Sequence, residues 1–191
     1  MPLPLGHALA GLALRQARPR FFFAAGWADA LFLMFLANLP DLDFLPGLLR
    51  GRPNLYHHGA FHSLGAALAV ALGGAVLLRS PRRRFAPAAA LVFLAFASHL
   101  LLDLFALDLV PPYGLPLFWP FSGETLIFSR PLFLNITRSA ASGDFFPSLF
   151  NGHNLAAALR EAFLLGGAAL AATGWRRRAE RRRDGGGTSG G

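Results

Sequence analysis

The feature that most constrains this chain is a series of apolar stretches, each close to a bilayer in length and separated by clusters of arginine. Crossing a hydrocarbon core of about 30 Å takes about 20 consecutive, mostly apolar residues. Four stretches approach or exceed that length: Phe21 to Asn38, Ala60 to Leu78, Phe85 to about Val110, and Asn154 to Trp175. A shorter segment, Leu3 to Leu14, precedes them, and at about 1.5 Å per residue it falls short of a full crossing. It has no basic n-region and no clear small-residue cleavage site, so it reads as a retained short helix rather than a signal peptide. The expected fold is all-α: a polytopic membrane protein with four full transmembrane helices plus a short N-terminal helix. Residues 1–175 read as a single membrane-embedded helical domain. Residues 176–191 read as an Arg-rich, then Gly-rich and disordered, tail.

Arginine placement orients these spans. Thirteen of the 18 arginines fall in three clusters: Arg15, Arg18 and Arg20; Arg79 and Arg82 to Arg84; and six between Arg176 and Arg183. Lys and Arg concentrate on the cytoplasmic side of membrane proteins, and one up-and-down topology puts all three clusters there. The C-terminus is then cytoplasmic and the N-terminus outside, in the inner (plasma) membrane of a bacterium. The outer face receives two loops, Pro40 to Gly59 and about Pro111 to His153. The second is rich in Pro, Gly and aromatics and does not read as a regular helix. The net charge of +8 has the same origin. Because the basic residues follow span ends rather than forming one face, no direct nucleic-acid binding is expected.

Only 15% of residues are charged, against about 25% in soluble domains. The absence of cysteine excludes a disulfide framework, thiolate metal sites and a Cys nucleophile. The absence of lysine excludes Schiff-base chemistry.

The few residues able to do chemistry gather at span ends. Asp41 and Asp43 follow the first span, His57, His58 and His62 open the second, and His99 and Asp103 lie late in the third. His7 stands near the start of the short segment. His99 and Asp103 are four residues apart and share one helix face, as do His58 and His62. In the topology set by arginine, all of these groups reach one level, near the outer face. Ionisable groups at membrane depth are costly and mark function by default. Imidazole with carboxylate suits Zn, Mn or Fe better than Ca or Mg. The expected ligands are therefore His7, Asp41, Asp43, His57, His62, His99 and Asp103, around one or two divalent ions, with zinc favoured. Seven ligands exceed the needs of one tetrahedral site, which favours two ions, with Asp43 as a bridge. Asp43 and Glu124 are the candidate catalytic carboxylates. Asp29 reads as a buried mid-span group that joins helices by hydrogen bonding, and Asp108 and Asp144 as loop or cap residues.

These motifs occur in one order: Gly6-His7, Leu39-Pro40-Asp41-Leu42-Asp43, His57-x-Gly59-x-x-His62-Ser63, Ser98-His99-x-Leu101-x-Asp103 and Gly114-x-Pro116-Leu117-x-Trp119-Pro120-Phe121. Together they resemble the bacterial membrane-bound metal-dependent hydrolases, the YdjM-like, LexA-binding inner-membrane-associated proteins. The resemblance runs from about residue 6 to residue 122. It implies metal-dependent hydrolysis, and its label implies LexA association, which no residue here shows by itself. His58 and Phe61 stand where that pattern has Arg and Thr. The His-x-x-x-Asp pairing is also similar to that of zinc-dependent phospholipases C.

The function expected is hydrolysis of a phospholipid or other membrane-linked ester, with membrane lipid as the partner and Trp119 and Phe121 at the interface. The rival is a non-enzymatic membrane protein: a metal transporter, or a scaffold with a structural metal. A transporter places ionisable groups along a path between both faces; here they crowd toward one end.

Overall fold

The computed structural model describes residues 1–17, 21–80, 83–107, 109 and 113–185. Arg18, Arg20, Arg82, Asp108, Val110, Pro111, Pro112 and residues 186–191 of the expected tail lie outside the described residues.

The described chain is helical, with isolated bridges in place of strands. α1 is Pro4–Ala17, α2 Gly26–Asn38, α3 Phe44–Leu49, α4 Leu64–Leu77, α5 Phe85–Leu104, α6 Ser142–Ser148 and α7 Gly152–Gly185. A 3-10 turn, Leu39–Asp43, joins α2 to α3, and a second one covers Pro53–Leu55. Pro40 enters the first of these, where its missing N–H and fixed φ suit a helix start better than a helix interior. Helical residues thus run without a break from Gly26 to Leu49.

Among the described residues, three helical segments, not four, are long and apolar enough to cross a membrane: Gly26–Leu49, Phe85–Leu104 and Gly152–Arg178. The expected span from Ala60 to Leu78 is the exception. Its helix, α4, has 14 residues and is about 21 Å long at 1.5 Å per residue. The reason lies in its N-cap. Ser63 has extended backbone angles, its hydroxyl accepts from the Ala66 N–H at 3.0 Å, and it donates to the Ala60 carbonyl at 2.7 Å. This starts the helix at Leu64, and residues 57–63 become turns that carry histidine.

The expected mid-span position of Asp29 is corrected as well. α2 begins at Gly26, after a bend at residues 21–25, so Asp29 lies in its first turn. Its buried carboxylate accepts from the N–H groups of Phe22 and Phe23 at 2.9 and 2.8 Å. Arg83 holds the same segment by donating to the carbonyls of Phe21, Phe22 and Leu78. Asp144 lies in the first turn of α6. The arginines from Arg176 onward continue α7 without a break.

Small residues let the central helices approach. Ala71 and Ala75 of α4 and Ala88, Val92 and Ala95 of α5 share one buried cluster with Leu33 and Leu36 of α2. Such stripes pack well where lipid offers no hydrophobic drive to associate. The outer faces stay apolar: Leu68, Leu72 and Val76 on α4, and Leu159, Phe163 and Leu170 on α7, are exposed.

Candidate metal centre

The motifs meet at one end of the bundle. This end combines the C-terminal ends of α2 and α5, the start of α1 and the approach to α4. Arg15, Arg79, Arg83 and Arg84 stand at the other ends of these helices.

His99 is the best-fixed member of the group. Its Nδ1 lies 2.8 Å from the Ala37 carbonyl at the end of α2. A carbonyl can only accept, so Nδ1 carries the proton and the Nε2 lone pair faces inward. A partner of this kind orients a metal-binding histidine. His99 Nε2 lies 3.1 Å from Asp103 Oδ2, 3.2 Å from His62 Nε2 and 3.6 Å from Asp41 Oδ1. His62 Nε2 lies 3.5 Å from Asp103 Oδ2 and 3.8 Å from Asp41 Oδ1. His7 stacks on the His99 ring at 3.7 Å between centroids, and its Nε2 is 3.5 Å from Asp103 Oδ1.

Asp43 joins a second group to the first. One oxygen is 2.8 Å from His62 Nδ1 and the other 3.1 Å from His57 Nδ1. The His57 ring stacks on Phe44 at 3.9 Å. His58 brings its Nε2 to 3.9 Å from Asp103 Oδ2 and adopts a left-handed backbone, φ +56°. That conformation is uncommon outside glycine and is sustained only where surroundings enforce it. His7, His57, His62 and His99 are fully buried.

Burial and electrostatics set the two turn histidines apart. Burial, reinforced by neighbouring His58, keeps His57 well below the ordinary imidazole range despite its bond to Asp43. At His62, burial acts in the same direction, but the carboxylates of Asp103 and Asp43 outweigh it and push the ring up to about 10.

Do these residues fit a metal? Four overlapping groups have ligand atoms within 4.8 Å of one another: His57/His58/His62, Asp41/Asp43/His57/His62, His7/Asp41/His99 and His62/His99/Asp103. Both nitrogens of His7, Nε2 of His57 and Oδ1 of Asp41 are buried without a hydrogen bond. Buried polar atoms are normally paired; unpaired donors from three of the clustered residues are what a cation site requires. The donor set of imidazole and carboxylate can hold a divalent ion.

All seven expected ligands therefore converge. Glu124 does not join them: it is exposed in the loop after Phe121, with its N–H bonded to the Ser122 hydroxyl. The aromatic loop packs beside the centre. The Leu64 N–H donates to the Leu117 carbonyl at 2.9 Å. A Cβ on Gly65 would come within 2.4 Å of the Trp119 carbonyl oxygen, so only glycine permits this approach.

The residues 1–179 match the profile of the YdjM inner membrane protein family. The chain belongs to that family. No curated protein and no solved structure matches it. Membership of this inner-membrane family and the apolar helices together support a membrane location for this protein.

Two members of the buried polar network lay outside the ligand set read from the sequence. His58 is the first; its spacing from His62 was visible, but not the inward turn of its ring. Glu161 of α7 is the second. It is buried, and its carboxylate accepts from the N–H of Leu3 at 2.9 Å and of Gly6 at 3.1 Å. It caps α1 one residue before His7. A Cβ on Gly6 would lie 2.8 Å from its Oε2, which explains the glycine of the Gly6-His7 motif. A lone glutamate inside an apolar helix was the signal for it.

Proposed function

We propose that this protein is a membrane-bound metal-dependent hydrolase acting on a phospholipid or another membrane-linked ester. One observation carries the reading. Nε2 of His62, Nε2 of His99 and Oδ2 of Asp103 lie within 3.1–3.5 Å of one another, with the outer nitrogen of His99 held by a carbonyl. Asp41 and His7 complete this group, and Asp43, His57 and His58 stand beside it.

His62, His99 and Asp103, with Asp41 and His7, would hold a divalent ion, best Zn and otherwise Mn or Fe, which would supply Lewis acidity and lower the pKa of a water toward about 7. The chain's own groups do the rest. The Ala37 carbonyl holds His99 in one tautomer. Asp43 bonds His57 through one oxygen and pairs with His62 through the other. His57 lines a cleft of about 570 Å³ with His58, Tyr56 and Phe61. Its Nδ1 is bonded to Asp43, and its buried Nε2 would be a donor to a second ion. Trp119 and Phe121, both exposed, suit a headgroup-level position beside the opening. The orientation, with the centre near the outer face and the Arg-rich end of α7 in the cytoplasm, is part of this proposal.

The test is elemental analysis of Zn, Mn and Fe on protein purified in mild detergent, followed by phospholipid vesicles assayed for released fatty acid and headgroup. Stoichiometric metal in the wild type, lost in His99→Ala and in Asp103→Ala, together with metal-dependent release, is expected. A metal-free wild type, or a His99→Ala protein that keeps all its metal, refutes the centre. Metal without hydrolysis of any vesicle lipid leaves a structural metal as the better account.

A further inference from the structure

A second cavity, of about 220 Å³, lies between the N-terminal residues, α3 and α6. Its walls are apolar, with Met1, Leu45, Leu48, Ile136, Phe145 and Leu149 among them. Among the described residues, two charged side chains reach it, Asp41 and Arg138. Asp41 also belongs to the metal-ligand group, so the 3-10 turn is a wall shared by cavity and centre. Arg138 is half-buried: its Nε donates to Asn54 at 3.0 Å and its guanidinium lies 5.3 Å from the Phe44 ring centroid. Of its lining residues, Leu45 and Phe146 are exposed.

We propose that this cavity binds one alkyl chain of an anionic amphiphile, with Arg138 recognising its carboxylate or phosphate group. Three features select that occupant. Pockets for whole drug-sized ligands run to about 300–1,000 Å³; this one suits a single chain. A guanidinium in an apolar wall, beside the Phe44 ring, brings positive charge to an anionic headgroup. The exposed apolar rim lets a chain enter from the membrane without crossing water. That the amphiphile is also the substrate, its cleavable bond held at Asp41, rests on the proposed hydrolase function. Binding itself does not.

The test uses protein in nanodiscs, palmitic acid bearing a diazirine on its chain, and the matching uncharged alcohol. After photolysis, adducts are mapped by mass spectrometry. The acid is expected to label residues 41–49 and 136–149, and more strongly than the alcohol. Leu48→Trp, or Leu149→Trp if the first does not fold, should cut labelling at least about tenfold, the equivalent of two excluded methylene groups. Arg138→Gln should bring the acid down to the alcohol, and Leu72→Trp, on the exposed face of α4, should change nothing. His99→Ala should keep full labelling even where its metal is lost, so failure of the metal centre and failure of the cavity show separately. Adducts confined to the exposed faces of α4 and α7, or labelling undiminished in both cavity-filling variants, overturns the proposal. An acid preference that survives Arg138→Gln overturns the role of the arginine.

Discussion

Glu161 offers the sharpest test of how the centre is held, because it touches none of the proposed ligands. Its carboxylate accepts from Leu3 and Gly6 and thereby closes the first turn of α1. Glu161→Ala removes both acceptors. The half-buried Leu3 N–H loses a partner outright. The buried Gly6 N–H keeps a second bond, to the Leu3 carbonyl at 2.9 Å, so its loss is smaller. A stranded N–H costs about 1–3 kcal/mol, which gives about 2–4 kcal/mol for the pair. If that cost is taken up locally, opening of the first turn becomes roughly 30- to 1,000-fold more frequent. Hydrogen exchange on the peptide covering residues 1–10, in nanodiscs, reads this directly. His7 follows Gly6 in that turn, so metal affinity should fall about 10- to 100-fold, as for other groups that orient ligands without touching the ion. Glu161→Gln keeps one acceptor oxygen and should show a milder effect. Unchanged exchange at residues 3–7 in Glu161→Ala, with unchanged metal content, would refute the capping role and its link to His7.

Four further outcomes are expected. The double variant His99→Ala/Asp103→Ala should bind metal little worse than either single variant, since ligands of one centre act as a unit; additive losses in elemental analysis would argue for separate sites. Asp29→Asn should keep its full metal complement, because Asp29 bonds Phe22 and Phe23 at the far end of α2; metal loss there would mean the two ends are coupled. Gly65→Ala should displace the Trp119 loop, with a new Cβ at 2.4 Å from a backbone oxygen, seen as a loss of thermal stability of about 1–3 kcal/mol, as overpacking usually costs. Reporter fusions at Gly114 and Gly187 should read out on opposite sides of the membrane, with Gly187 in the cytoplasm; a cytoplasmic Gly114 would move the centre to the inner face.

Much of this molecule was legible in one dimension. Helical character follows from apolar length, and the His99/Asp103 pairing follows from the 3.6-residue period, which puts residues four apart on one face. The level shared by Asp41, Asp43, His57 and His62 follows from counting residues along helices oriented by arginine. What escaped the sequence depended on side chains reaching across it. The Ser63 cap shortened α4, because a hydroxyl bonded to Ala66 stops a helix that apolar composition alone would extend. Asp29 looked mid-span until the fold showed that its carboxylate holds the amides of Phe22 and Phe23. Glu161 lies 155 residues from the Gly6 amide it accepts from, and no local pattern encodes such a contact. The left-handed turn at His58 likewise arises from its surroundings. Period and composition fix which face and which end a residue occupies; which partner it meets there is decided only when the helices pack.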